Sequence, residues 1–190
     1  LYIYGSILFT LCCALLSCTK KEDIRVSGLK PERSIESFFG ANTTVNRPVT
    51  IYLDADTVYT LSRSFTRLNG ETLEIEPGTV IKVSAQGQLV GIDIQPGGKI
   101  KASGTIDKPI VFTSADPKGS QAVNWGGITL QGRAARNDQS ISNADPNHNA
   151  GALQYLRIEF APLRLHGVGS GTQLDHIMVS YAGKSAQGSE

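Results

Sequence analysis

From Val49 onward apolar and polar residues alternate, and Gly and Pro interrupt the alternation at short intervals. In Leu73-Glu74-Ile75-Glu76 every second residue is apolar, which makes a strand with one buried face and one wet face. Pro77-Gly78 breaks that strand and turns the chain, and Ile81-Lys82-Val83 resumes the alternation. Slid by 19 residues, this stretch lands on a second copy: Leu73 falls on Ile92, Ile75 on Ile94, Pro77 on Pro96, Gly78 on Gly97, Ile81 on Ile100 and Lys82 on Lys101. Strand-like alternation at a fixed period of about 20 residues predicts a solenoid of stacked parallel strands with an aliphatic ladder inside it. On this reading residues 73–75 pair with 92–94. Glu74 then lies over Asp93, Glu76 over Gln95 and Lys82 over Lys101, all facing outward. Leu73, Ile75, Ile92, Ile94, Ile128, Ile158 and Ile177 are expected to be buried, and Glu74, Asp93 and Lys101 exposed. The competing reading, two antiparallel hairpins, leaves the six aligned positions to coincidence.

The later pattern is less regular. Ile110 and Phe112 share one face of a strand at 109–113, and Trp125-Gly126-Gly127 leads into another at 128–130. Trp125 is read as packing over the glycine corner, with sugar stacking as the alternative. Arg133 to Gly151 lacks alternation and reads as an inserted loop. Its Asn137, Asp138, Asn143, Asp145 and Asn147 carry oxygens suited to Ca²⁺, yet no EF-hand or nonapeptide spacing accompanies them, so a solvated loop is favoured. The 19-residue shift returns at the end, placing Leu153, Tyr155, Ile158 and Phe160 on Thr172, Leu174, Ile177 and Val179 as inward positions.

Composition supports many short strands: Gly is abundant at 20 residues and aromatics are few at 7%. The net charge of +1 comes from interspersed acids and bases, which argues against a nucleic-acid binder. Residues 1–17 carry no charge and hold the apolar run Ile7 to Leu16, of signal-peptide length. The chain begins at Leu1 without Met or a basic residue, so the true start is expected to be missing. Leu15-Leu16-Ser17-Cys18 resembles the lipobox of bacterial lipoproteins, which implies cleavage before Cys18 and acylation of Cys18. A secreted protein without lipid, or a membrane helix, is the alternative. The other two cysteines, Cys12 and Cys13, precede that cleavage point, so the mature chain offers no disulfide and no cysteine-metal site. Lys21-Glu22-Asp23 resembles the surface-export signal of Bacteroidota lipoproteins, with a plain solvated tether as the alternative. The expected organisation is a lipoprotein signal peptide at 1–17, then a lipidated anchor, tether and candidate N-terminal cap at 18–50. A coil follows at 51–190 and is expected to be truncated at its C-terminal end. Ser34 to Phe39 is read as a helical turn or a cover for the open end of the coil.

The motifs L-E-I-E-P-G-T-V-I-K, G-T-I-D-K-P-I-V-F-T-S, W-G-G-I-T-L-Q-G-R-A, Y-L-R-I-E-F-A and G-V-G-S-G-T-Q-L-D-H-I-M-V-S-Y-A together resemble the right-handed parallel β-helix surface lipoproteins of Bacteroidota. The resemblance covers residues 57–182 and implies an all-β, right-handed parallel β-helix. It also implies anchoring in outer-membrane lipid through the acylated cysteine, at the cell surface. Two departures stand out: Ala161 to His166 is short where a further apolar strand is expected, and Lys184-Ser185-Ala186-Gln187 replaces an acidic continuation. For function, the outward charges read as a solvated face or as a binding wall, with Glu74, Asp93, Arg157 and Glu159 as candidate ligand contacts. No nucleophile–base pair, clustered carboxylates or metal-ligand spacing is legible, so neither a cofactor nor a metal is expected. The expected role is a non-catalytic scaffold or binding module for glycans or partner proteins. The alternative is a pectate-lyase-like enzyme that degrades polysaccharide.

Overall fold

The computed structural model describes residues 29–38, 49–84, 90–116, 125–135 and 142–182. β1 (Glu32–Ser34) leads into a 3-10 turn at Ile35–Phe38. The first full coil holds β2 (Val49–Leu53), β3 (Val58–Leu61) and β4 (Phe65–Arg67). The second holds β5 (Glu71–Ile75), β6 (Val80–Val83) and β7 (Gly91–Ile94), and the third β8 (Lys99–Ser103), β9 (Ile110–Ser114) and β10 (Gly127–Gln131). In the fourth, β11 (Gly151–Glu159) runs across two walls before β12 (Leu163–His166), and β13 (Gln173–Ser180) repeats the path of β11.

Every pairing among these strands is parallel. They stack into three walls. The first wall is β2, β5, β8 and the N-terminal halves of β11 and β13. The second is β1, β3, β6, β9 and the C-terminal halves of β11 and β13. The third is β4, β7, β10 and β12. Ala161 to His166, short as it is, thus supplies the third-wall strand of its coil.

The parallel solenoid agrees with the sequence reading, but its register does not. Leu73 pairs with Ile51 and Ile100, and Ile92 with Phe65 and Ile128, so Leu73 and Ile92 lie on different walls. On the first wall the register advances by 22 residues from Val49 to Glu71 and by 27 from Thr72 to Lys99. It then advances by 51 from Ile100 to Gly151 and by 21 from Ala152 to Gln173. The extra residues sit in connections: 84–90, 115–126 and 132–150. The 19-residue match arose because one turn chemistry serves two different corners. At 76–79 the Thr79 N–H donates to the Glu76 carbonyl at 3.2 Å. At 95–98 the Gly98 N–H donates to the Gln95 carbonyl at 2.8 Å. Each turn has Pro in its second position and Gly at φ 89° or 91° in its third, as a type II turn requires. Pro77-Gly78 turns from the first wall to the second, and Pro96-Gly97 from the third wall back to the first.

A second correction concerns the last coils. Residues 153–160 do pair in parallel with 172–179, but at an offset of 21: Leu153 meets Leu174, Leu156 meets Ile177 and Ile158 meets Val179. Tyr155 and Phe160 are not rungs of the inner ladders, although Phe160 packs partly against the core. Each stands at a corner in left-handed backbone, Tyr155 at φ 48° as the whole corner and Phe160 at 60° as the first residue of one, repeated one rung on by His176 at 49° and Tyr181 at 54°. The paired corner rings stack at 4.4 Å (Tyr155 on His176) and 4.9 Å (Phe160 on Tyr181).

The core is a set of ladders. Leu53, Ile75, Ala102 and Leu153 follow one another on the first wall, and Tyr59, Ile81, Phe112 and Ile158 on the second. Phe65, Ile92 and Ile128 form the third, and all eleven are buried. Each large aliphatic rung contributes about 1.5–3 kcal/mol by leaving water. Ile177, expected inside, is only half-buried, because β13 ends the described stack and nothing described covers it. Trp125 is fully buried, stacks on Phe112 and donates its indole N–H to the Glu159 carbonyl at 2.9 Å. Burial rules out the sugar-stacking alternative for this ring.

At the other end, Ile35 is fully buried in the core and Phe38 packs against Tyr59. Glu36 pins this turn by accepting bonds from the Ser62 and Arg63 backbone N–H groups and the Ser34 and Ser62 hydroxyls. Partial burial raises its carboxyl, but the bonds from Ser34 and Ser62 outweigh that and bring its pKa down to about 2. β1 already pairs with β3, so the coil starts within the segment read as anchor, tether and cap.

Candidate functional site

The four candidate contacts lie on three separate walls. Glu74 is on the first wall, Asp93 on the third, and Arg157 and Glu159 on the second. Only the last two meet. Arg157 bonds Glu159 Oε1 at 2.6 Å, and the Thr113 hydroxyl donates to the other carboxylate oxygen at 2.9 Å. The expected stacking of Glu74 over Asp93 is absent, for the register reason given above. Glu74 faces Lys101 instead, 3.5 Å from its ammonium, and Lys82 reaches Glu32 at 2.7 Å rather than lying over Lys101. Asp93 lies between Thr66 and Thr129 and accepts bonds from the side-chain amides of Gln95 and of Gln131, the latter at 2.9 Å. Glu74 and Asp93 are half-buried rather than exposed, since neighbouring rungs flank them, while Lys101 is exposed as expected.

Cys18 and Lys21-Glu22-Asp23 lie outside the described residues, as do Asn137 and Asp138. In the described part of the loop, the Asp145 carboxylate accepts the Asn147 N–H at 2.9 Å, and the Asn147 side-chain oxygen bonds the Ser170 hydroxyl at 2.8 Å. The Asp145 oxygen thus closes a turn within the loop, and the Asn147 oxygen ties the loop to Ser170.

The true register reveals an arrangement the sequence did not. Tyr52, Glu74, Lys101, Ala152 and Gln173 form one outward column along the first wall. At about 4.8 Å per rung it is roughly 19 Å long. Tyr52 stands half-exposed near one end. Desolvation, followed by the charge of Glu76, raises its phenol above the ordinary value, so it presents a neutral hydroxyl and an aromatic face. Toward the other end, Ala152 leaves a dip between two long side chains. Lys99, Lys101, Ser103, Asn149, Gly151, Ala152, Gly171 and Gln173 line the resulting groove of about 280 Å³. Tyr52, Lys99, Gly151, Ala152 and Gln173 were not singled out from sequence. The signal available was the Gly-Ala pair at 151–152, where the alternation restarts with small residues, but without the register nothing joins it to Tyr52 or Lys101.

The three-walled parallel coil has a counterpart among known families. The family model described as a pectate-lyase-like β-helix domain matches residues 43–186. The chain belongs to this family. No curated protein and no solved structure matches the chain. The family assignment covers every coil from β2 to β13, and with them the first-wall column and its groove.

Proposed function

We propose that the chain is a non-catalytic binding module, tethered by lipid at Cys18 to the outer membrane and displayed at the cell surface, that lays an extended glycan along the outward column of its first wall. The observation that carries this reading is the column itself: an aromatic platform, an ion pair and a groove in one line on a rigid parallel sheet. Aromatic faces and neutral hydroxyl or amide groups in line suit a sugar chain, which presents apolar ring faces and hydroxyls at regular spacing. A non-catalytic role is favoured by the scatter of the carboxylates over three walls and by the pairing of Arg157 with Glu159. Hydrolysis requires two carboxylates facing one cleft. The lipobox-like Leu15-Leu16-Ser17-Cys18 and the following Lys21-Glu22-Asp23 support the tethering.

A glycan array probed with the purified chain, run beside activity assays on the glycans that bind, tests the proposal. Binding that Tyr52→Ala removes supports it. Cleavage of a polysaccharide, lost in Glu159→Gln or Asp93→Asn, replaces it with the polysaccharide-degrading alternative that the family description suggests. For the tether, Cys18→Ala should release the protein from the membrane fraction. Replacement of Glu22 and Asp23 should remove it from protease attack on intact cells.

A further inference from the structure

We propose that the first wall is a self-association surface: a second copy of this chain lies face to face on it across a two-fold axis, and the Tyr52 ring of each copy enters the groove over Ala152 of the other. This goes beyond the glycan reading, since the second copy covers the same column and competes with a glycan for it. The order of the column carries the proposal: Tyr52, Glu74, Lys101, Ala152, Gln173. Take an axis in the plane of the contact, running along the strands midway between Glu74 and Lys101. It brings the second rung of one copy onto the third of the other, and the first onto the fourth. Each Glu74 then faces the other copy's Lys101, and each Tyr52 faces the other's Ala152. One operation matches both the charges and the shapes, as an isologous contact requires.

Knob and hole are both built into the wall. Tyr52 is 51% exposed, and an aromatic anchor seated in a pocket is a common source of binding energy between proteins. The hole exists because Ala152 stands between two long side chains, Lys101 and Gln173. Its floor is fixed by backbone packing: a Cβ on Gly151 would lie 1.8 Å from the Ile100 carbonyl oxygen, and one on Gly171 2.5 Å from that of Asn147. The groove of about 280 Å³ admits a phenol ring, and Ser103 and Asn149 in its lining offer partners to the hydroxyl. The charges are divided by the axis. Glu74 and Glu76 lie on one side of it and Lys99 and Lys101 on the other, and no carboxylate lines the groove. Within one copy Glu74 and Lys101 are 3.5 Å apart and largely exposed, so that pair holds weakly. Across the axis two glutamates and two lysines alternate, which makes a network of an isolated pair. Four rungs by five residues cover roughly 300 Å², against about 800 Å² per partner in a standard complex. The contact is therefore weak in dilute solution and forms at high local concentration, as a shared membrane tether supplies.

The test is sedimentation velocity on the chain with Cys12, Cys13 and Cys18 replaced by serine, at concentrations up to about 1 mM, where a reversible dimer should appear. Tyr52→Ala removes the knob and Ala152→Leu fills the hole; each should weaken the dimer by at least about tenfold. Glu74→Lys and Lys101→Glu should each weaken self-association as much, because like charges then meet across the axis. Mixed with one another, those two variants should pair, because one then presents only lysine and the other only glutamate at the contact. Circular dichroism checks that each variant is folded, and Lys82→Ser, on the second wall, should change nothing. A chain that stays monomeric at about 1 mM overturns the proposal and leaves the glycan reading standing. So does a dimer indifferent to Tyr52→Ala and Ala152→Leu, or a mixture of the two charge variants that fails to pair, since the contact then lies elsewhere. A dimer that behaves as expected, with no ligand on the glycan array, overturns the glycan reading alone.

Discussion

The first three coils and the rungs built by β11 and β13 turn the same corner in different ways. Between the first and second walls the early coils use connections of several residues, 54–57, 76–79 and 104–109. β11 and β13 use one residue each, Tyr155 and His176, in left-handed backbone conformation. The early solution tolerates any length of connection, because Gly or an open loop absorbs the turn without strain. The late one costs about 1–2 kcal/mol at each non-glycine corner, and the stacking of one corner ring on the next offsets part of that. The early coils are sealed on all sides by buried ladders. The β13 rung is the last one described, and there Leu174, Met178, Val179 and Tyr181 are between 39% and 68% exposed. The lesson is that one corner has two solutions, a connection of several residues in the early coils and a left-handed residue with a cross-rung ring stack in the late ones.

The largest test compares a charge placed in a sealed rung with one placed in the exposed β13 rung. Ile94→Asp puts an unpaired carboxylate into a fully buried third-wall position and should cost about 4 kcal/mol or more, read by urea unfolding. Leu174→Asp, at a site already 39% exposed, should cost under about 1 kcal/mol. Equal losses would erase the distinction. Next in size, Gly151→Ala drives a Cβ against the Ile100 carbonyl and should cost about 3 kcal/mol by the same measurement.

A smaller effect sharpens the account of the late corners. Tyr155→Ala keeps the left-handed corner but loses the ring stack, and should destabilise by about 1 kcal/mol. In a double-mutant cycle with His176→Ala the two should couple by about 0.5–1.5 kcal/mol. Additive effects would mean the rings do not support one another. The smallest effect is at the opposite end of the coil. The folded pKa of Glu36, about 2, lies below its ordinary value of 4.5. Its contribution is therefore complete above about 4.5 and is lost as pH falls toward 2. Wild type should lose more stability over that window than Glu36→Gln, measured by urea unfolding at several pH values.

These contrasts also mark what the sequence could and could not reveal. The alternation in Leu73-Glu74-Ile75 and its restart after Pro-Gly made parallel strands and the aliphatic interior legible, because a one-sided strand writes its buried face at every second residue. Leu73, Ile75, Ile92, Ile94, Ile128 and Ile158 were placed inside, and they are inside. Register was not legible, because a turn motif reports local backbone geometry and not which corner it occupies. Pro77-Gly78 and Pro96-Gly97 looked like one position seen twice and are two different corners. Connections of 7, 12 and 19 residues, at 84–90, 115–126 and 132–150, then remove any fixed period. The site was lost with the register. Glu74 was identified as outward, but its neighbours on the column, Tyr52 and Lys101, are 22 and 27 positions away. Tyr155 and Phe160 were taken as inward because the 19-residue shift placed them on Leu174 and Val179, whereas positive φ at such residues leaves no signature in a single sequence.

The claim on which the rest depends is the register of the first wall, and engineered disulfides measure it directly. In a chain with Cys12, Cys13 and Cys18 replaced by serine, Glu74→Cys is combined either with Lys101→Cys or with Asp93→Cys. Parallel neighbours lie about 4.8 Å apart, within the reach of a disulfide, whereas residues on separate walls do not meet. Mild oxidation followed by non-reducing electrophoresis and mass spectrometry should show the 74–101 link forming quickly and the 74–93 link not forming. A 74–93 link with no 74–101 link would restore the 19-residue stacking and contradict the three-walled register, the first-wall column and the groove built on it.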